Sequence, residues 1–401
     1  MKQPKIFISA GEPSGDLLAA ELVQQLWQQW TDAEIFGICG PHMRTAGIEA
    51  IYGIEDLSVM GFVEVLKHLP ILKHLEFSLL EQIDRFQPDL AILVDYPGFH
   101  LRLGEALRQR GIYVIQYVAP QLWAWGEKRT QQLRRATDEV LGIIPFESKF
   151  FCDRDVNYHY VGTPQVDRAK LAQANRPLFK MSHQLTIGFF PGSRPSEIRR
   201  LLPKILQIRS ELRVINPNYR FAISMAPNLR GELFEEILGL PLGTSSYDGD
   251  NLAVFEQGDT VLVRGKSLDL MKSCDSALVT SGTATLECAL TGTPMAVVYV
   301  MQPLTYLIAK RYVKLPYISL VNLVAEEALV REFIQDFPPI EAAAELSRLA
   351  EPGAYRDEKR EQLSILHGAV TGDLAAHAAR AIGLSWQRRQ QDLKVSRSRI
   401  K

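Results

Sequence analysis

Short apolar runs alternate with amphipathic helical stretches along most of the chain. Lys5–Ala10 reads as a strand, followed by a glycine-containing turn and a helix over about Ser14–Gln29. Asp89–Asp95 (DLAILVD) reads as a buried strand, followed by a helix near Arg102–Arg110, and Ile112–Val118 as a third strand. Strands separated by helices predict βαβ units and a parallel sheet. After a polar, proline-containing stretch near Leu171–His183 the pattern restarts. Leu185–Phe190, Tyr219–Met225, Ser276–Thr280 and Met295–Tyr299 are the next predicted strands. The expected fold is α/β, with two Rossmann-like domains built on parallel sheets. They span residues 1–175 and 184–340, and the cleft between them is the expected active site. Residues 341–385 read as C-terminal helices that return to the first domain or exchange in a dimer. Residues 386–401 read as a basic, fraying tail.

Composition narrows this picture. A chain of 401 residues exceeds one ordinary core, and 46% hydrophobic with 23% charged residues fits a globular protein. A formal net charge of −1 gives no global basic field, so no nucleic-acid partner is expected. Cys39, Cys152, Cys274 and Cys288 form no C-x-x-C pair and read as reduced thiols. Gly11, Glu12 and Asp16 interrupt the first apolar run, so no secretory signal is expected. The apolar stretch Ala289–Ala309 contains Gly292, Pro294 and Pro303, and reads as strand, loop and helix.

The chemistry concentrates where predicted strands end, which is where parallel sheets bind ligands. Ser9–Asp16 (SAGEPSGD) offers two glycines and a helix start. Val94–His100 (VDYPGFH) ends a buried strand on Asp95, a carboxylate suited to general-base work or, more plainly, to capping a turn. Tyr117–Trp125 (YVAPQLWAW) carries Gln121 and Trp123, able to stack on and hydrogen-bond a sugar or simply to form an aromatic cluster. Phe190–Glu197 (FPGSRPSE) places Gly192, Ser193 and Arg194 at a helix N-terminus, a combination that suits a diphosphate. Thr280–Glu287 (TSGTATLE) repeats the arrangement with Ser281, Gly282 and Thr283. Glu287 is placed one turn in, to accept from ribose hydroxyls or to complement the helix dipole. Neither G-x-G-x-x-G nor G-x-x-x-x-G-K-[ST] occurs, which favours a nucleotide-sugar over a dinucleotide or a nucleoside triphosphate. Asp153-Arg154-Asp155 and Asp248-Gly249-Asp250 superficially match metal-binding D-x-D strings, but DGDN reads as a turn. The histidines show no zinc spacing, and no metal or cofactor is expected. Val59–Leu80 is apolar and punctuated by Lys67, His68, Lys73 and His74. It fits a membrane-surface helix pair, with Val65, Leu66, Leu69 and Leu72 in contact, or core helices.

Together, SAGEPSGD, GFVEVL, VDYPGFHLRL, YVAPQLWAW, Pro145–Glu147 (PFE), PGSRPSE, SGTATLE, TYLIAKRYVKLPYISLVNLVA and EFIQ resemble the lipid-A-disaccharide synthase family, in that family's order. The resemblance implies a GT-B architecture and an inverting, metal-independent glycosyl transfer. The implied substrates are UDP-2,3-diacylglucosamine and 2,3-diacylglucosamine 1-phosphate, giving a β-1,6-linked disaccharide 1-phosphate and UDP. It also implies peripheral attachment at the cytoplasmic face of the inner membrane and dimers that exchange C-terminal segments. Asp95 matches the family's essential aspartate and Arg194 its essential Gly-Ser-Arg arginine. Asn322 matches the asparagine of Ser-Leu-x-Asn-Leu, while Glu12 and Ser14 match the N-terminal signature. Four positions depart from the pattern: Pro13 for alanine, His100 for asparagine, Thr163 for histidine and Val321 for proline. By residues alone, another GT-B enzyme acting on UDP-N-acetylglucosamine, an epimerase or a transferase, would share the nucleotide loops. A non-catalytic nucleotide-sugar or lipid-binding protein would share the fold.

Overall fold

The structure is a computed structural model. It describes residues 3–58, 65–124, 126–174, 178, 184–239, 241–242, 247–249, 252–313 and 315–399. The chain divides into two compact units, Met1–Thr163 with Asp373–Lys401, and Pro164–Gly372.

The first unit holds a seven-stranded parallel sheet. Its strands are β1 (Lys5–Ala10), β2 (Glu34–Cys39), β3 (Glu49–Gly53), β4 (Leu90–Val94), β5 (Tyr113–Tyr117), β6 (Glu139–Gly142) and β7 (Tyr158–Tyr160). Their spatial order is β3-β2-β1-β4-β5-β6-β7. Helices cover both faces, so central strands lose the polar/apolar alternation and become continuously apolar: all five residues of β4 are buried. Full burial of a branched side chain such as Ile92 or Val94 contributes about 1.5–3 kcal/mol. Helix Pro13–Gln29 begins with Pro13, whose missing N–H costs nothing in the first turn. It buries Leu18, Leu22, Val23 and Leu26, spaced along one face. That face meets the C-terminal helix Leu374–Arg399 through Leu374, Ala378, Ile382 and Trp386. The last helix therefore packs on the first unit of its own chain. The expected fraying tail is instead helical as far as Arg399, and Arg389 within it lies over the Tyr113 ring.

The second unit holds an eight-stranded sheet. Its strands are β8 (Thr186–Phe190), β9 (Arg220–Met225), β10 (Tyr247–Gly249), β11 (Leu252–Gln257), β12 (Thr260–Arg264), β13 (Ser276–Thr280), β14 (Met295–Tyr299) and β15 (Glu332–Ile334). The order is β10-β11-β12-β9-β8-β13-β14-β15, parallel except for the β10-β11-β12 edge. Asp248 and Gly249, read as part of a turn, lie in β10, where Gly249 pairs with Leu252; residues 250 and 251 lie outside the described residues. Helix Pro164–Ala174 belongs to this unit, packing Ala169 against Leu290 and Val370. Helices Pro339–Ala350 and Ala354–Ala369 belong to it as well.

Candidate active site

In each sheet the connections reverse direction at one point, and the crevice beyond the strand ends there is where open α/β sheets bind ligands. In the first unit this point lies between β1 and β4, paired from Ile6↔Leu90 to Ala10↔Val94. The next residues are Gly11 and Asp95. In the second unit it lies between β8 and β13, so Gly192–Arg194 and Ser281–Thr283 flank it. Four of the five loops singled out in the sequence lie at the two reversal points; the fifth, Tyr117–Trp125, follows β5 beside the first of them.

The first cluster is built around a strained turn. Asp95 has φ 51° and Tyr96 has φ 49°, two consecutive non-glycine residues in the left-handed region. Val118, just past β5, has φ 69°. Such conformations cost about 1–3 kcal/mol each and persist only where the surroundings enforce them. The enforcing contacts are explicit. The Asp95 N–H donates to the Tyr117 carbonyl at 2.8 Å. The Asp95 carbonyl accepts from His100 Nδ1 at 2.7 Å and from Gln116 Nε2 at 3.1 Å. The His100 ring reaches the Ser9 hydroxyl on β1 at 2.9 Å. A Cβ at Gly11 would lie 2.2 Å from Tyr96 Cγ, so the missing side chain makes room for that ring. The Asp95 carboxyl is half-buried. Burial holds it above the usual aspartate range, the Tyr96 amide opposes this, and the negative charge of Glu12 adds to it. A raised carboxyl is a stronger base.

Glu12 and Ser14 are exposed beside this turn. Asp16 is fully buried and accepts from the amides of Gly40, His42 and Met43 at 2.8, 2.8 and 3.2 Å, tying the first loop to the second. His100, at the position where the resemblance led to asparagine, is wholly buried and does not face a ligand. Burial pushes its imidazole down to about 4. Gln121 is exposed. Trp123 is half-buried, packs edge-on against Phe146, and donates to the buried Glu147 at 2.8 Å. Glu147 also meets Tyr158 at 3.0 Å, and burial pushes its carboxyl up to about 8. Thr163 is buried and donates to the Ile143 carbonyl at 2.7 Å; Val321 is buried and Pro13 exposed.

The second cluster has an outward charge and an open glycine. Arg194 ends the loop after β8 with its side chain 79% exposed, and pairs weakly with Glu197 at 3.4 Å. Glu197 Oε2 also accepts from the amides of Ser193 and Arg194 at 3.2 and 3.4 Å. Gly192 has φ 108°, and a Cβ there would strike the same carboxylate. Across the reversal point Gly282 has φ 149°, and a Cβ there would meet nothing within 4 Å. That open space fronts the N-terminus of helix Thr283–Leu290, with Thr283 exposed. Ser281 spends its hydroxyl on the Ile318 carbonyl at 2.7 Å. Glu287 is mostly buried and pairs with Arg168 at 3.6 Å, so it is not a free carboxylate. Burial raises its carboxyl and Arg168 opposes this. Asn322 is buried. Its Nδ2 donates to the Val330 carbonyl and to Glu332 at 2.9 Å each, and its Oδ1 accepts from the Val330 amide at 3.0 Å. Glu332 further gathers the Ile318 and Ser319 amides. Asn322 and Glu332 thus shape the loop to which Ser281 is tied.

Four residues of these clusters gave little sign in the sequence. Gln116 is a lone polar residue in an apolar strand, and Tyr96 sits inside a turn string. Ser9 precedes a glycine motif. Arg168 left no signal.

The family model for lipid-A-disaccharide synthetase matches residues 6–369. The chain belongs to the lipid-A-disaccharide synthetase family. The lipid-A-disaccharide synthase of Trichlorobacter lovleyi is 36% identical over 376 residues, covering 92% of this chain and 94% of that protein. That of Myxococcus xanthus is 36% identical over 372 residues, covering 92% and 93%. Among solved structures, the calicheamicin glycosyltransferase CalG4 superposes with a TM-score of 0.58 at 14% identity, over 97% of this chain and 99% of that one. The UDP-GlcNAc 2-epimerase from Neisseria meningitidis bound to UDP-GlcNAc gives 0.56 at 15%, over 96% and 99%. These likenesses show the fold, which for this synthetase family member is of GT-B type.

Of the membrane-contact residues expected from the sequence, the helix Val65–Phe86 is present. The side chains of Val65, Leu66, Leu69 and Leu72, and residues 59–64 entirely, lie outside the described residues. Further along the same helix Leu79 and Ile83 are core residues, while Phe77 is 62% exposed. Among the described residues no helix is long and apolar enough to cross a membrane.

Proposed function

We propose that this glycosyltransferase of lipid A biosynthesis transfers 2,3-diacylglucosamine from UDP to the 6-hydroxyl of 2,3-diacylglucosamine 1-phosphate. The products are a β-1,6-linked disaccharide 1-phosphate and UDP. The observation that carries this reading is the Asp95 carboxyl at the first reversal point, raised by burial and by Glu12 and fixed by a strained turn. Asp95 takes the acceptor hydroxyl proton as the oxygen attacks the donor anomeric carbon. The anomeric C–O bond to UDP breaks, and an α-linked donor gives a β product. Arg194, with the helix start at Gly282–Thr283, carries the charge developing on the departing diphosphate. Gly192 and Ser193 shape that loop, and Glu287 and Asn322 act through their partners Arg168 and Glu332. Trp123, Gln121, Glu12 and Ser14 line the acceptor side. Helix Val65–Phe86 seats the enzyme peripherally on the cytoplasmic face of the inner membrane, where its acylated substrates reside. A homodimer would exchange helix Leu374–Arg399, whose apolar seam serves equally in the partner.

The test is UDP release in detergent from UDP-2,3-diacylglucosamine, with and without the acylated glucosamine 1-phosphate. Acceptor-dependent release with a new disaccharide phosphate supports the reading. Acceptor-independent turnover would point to an epimerase or hydrolase instead. Binding without turnover would point to a carrier.

A further inference from the structure

The carbonyl of Asp95 is held by two buried side chains from different elements. His100 Nδ1, on helix Pro97–Gln109, lies 2.7 Å away, and Gln116 Nε2, on β5, lies 3.1 Å away. Both side chains are fully buried. A carbonyl only accepts, so Nδ1 carries the ring proton and Nε2 is left to accept from the Ser9 hydroxyl at 2.9 Å. The tautomer is thereby set by the contacts. The same Gln116 amide donates to the carbonyl of Val118 at 3.2 Å, so one side chain braces both strained strand ends. Its Oε1 is buried with no hydrogen-bond partner among the described residues. Core stability alone would favour an apolar residue at this central-strand position, because an unpaired buried oxygen is costly. The residue is therefore explained by what its amide nitrogen holds.

We propose that His100 and Gln116 are positioning residues that lock the Asp95 peptide in its left-handed conformation and so aim its carboxylate at the acceptor hydroxyl. This rests on the reading of Asp95 as general base. Neither side chain touches substrate. Their effect falls on the geometry of proton removal and leaves the nucleotide loops of the second unit alone.

His100→Asn, His100→Gln and Gln116→Met are compared in the full chain for kcat, KM of both substrates, UDP affinity and Tm. Asparagine places its amide near the Nδ1 position and keeps the bond to Asp95. Glutamine places its amide near Nε2 and keeps only the link to Ser9. His100→Asn is expected to retain most of the turnover. His100→Gln is expected to lose about 10- to 100-fold in kcat, the range that small misplacements cost, with UDP affinity unchanged. Equal kcat in the two variants would overturn the proposal. If His100→Gln does not fold, the near-isosteric Gln116→Met reads the second bond in the same way: a lower kcat supports the lock, and a wild-type kcat overturns it. Asp95→Asn is the control. If it is inactive while His100→Gln and Gln116→Met turn over normally, only the lock falls. If it remains active, the general-base reading falls and the lock with it.

Discussion

Gly11 and Tyr96 are 85 residues apart in sequence, yet the space where a Gly11 side chain would begin is filled by the Tyr96 ring, with Cγ at 2.2 Å and Cδ1 at 2.4 Å. The obstructing atoms are the root of the ring and cannot swing aside like the tip of a long side chain. Gly11→Ala must therefore push Tyr96, and with it the turn that carries Asp95. We expect a loss of about 1–3 kcal/mol in stability from overpacking and a disproportionate fall in kcat. Thermal unfolding and steady-state kinetics on the same preparation check this. Wild-type kcat in a destabilised Gly11→Ala would show that the turn tolerates displacement.

Under the proposed general-base role, Asp95 and Glu12 together set the pH response. Removing the base, Asp95→Asn should lower kcat by ~10²–10⁴, with UDP binding little changed. Protonation of Asp95 as pH falls removes the base, so activity has an acid limb. Burial and Glu12 both place that limb above the ordinary aspartate value of 3.8. Glu12→Gln removes one of the two causes, and the limb should move to lower pH. A limb that stays put, or moves up, would mean that Glu12 does not act on Asp95.

Much of this was legible in the sequence, for a local reason. Buried parallel strands such as DLAILVD announce themselves by unbroken apolar runs, and the residues after them are where parallel sheets present ligands. Asp95, Arg194 and Gly282 could be named on that ground. The sequence did not reveal who holds whom. Gln116 on Asp95, Glu332 on Asn322 and Arg168 on Glu287 are links between elements, and periodicity records only neighbours along one element. The β10-β11-β12 edge was missed because its DGDN string carries turn residues, whereas Asp248 and Gly249 pair antiparallel with Ala253 and Leu252. His100, which stands where the family pattern has asparagine, is an internal residue facing Ser9.

Arg194 gives a clean separation of folding from function. Its side chain is 79% exposed and its ion pair with Glu197 is long at 3.4 Å, so deletion should leave stability within experimental error. Arg194→Ala should nevertheless cost ~10²–10³ in kcat, the scale for one lost donor to developing charge, and weaken UDP binding measured by calorimetry. Arg194→Lys should recover only part, since an ammonium lacks the fork that grips two phosphate oxygens. Unchanged UDP affinity in Arg194→Ala would place the diphosphate elsewhere.

Glu147 makes stability itself pH-dependent. Its carboxyl is 1% exposed, accepts from Trp123, and is pushed by burial from the ordinary 4.5 up to about 8. A group held above its unfolded value contributes stability that is present in full below 4.5 and lost as pH rises through about 8. Tyr158 reaches both Glu147 and the Ile144 carbonyl at 3.0 Å, but has a single proton to donate. A protonated Glu147 resolves this by donating to the Tyr158 oxygen, while Tyr158 donates to Ile144. Glutamine can reproduce that arrangement without ionising, its amide nitrogen donating to Tyr158 and its oxygen accepting from Trp123. Glu147→Gln should therefore flatten the decline in Tm between about pH 5 and 9 expected of the native chain, and be the more stable of the two at the alkaline end. A decline equally steep in both proteins would show that Glu147 is already ionised in the folded state, with Tyr158 donating to it.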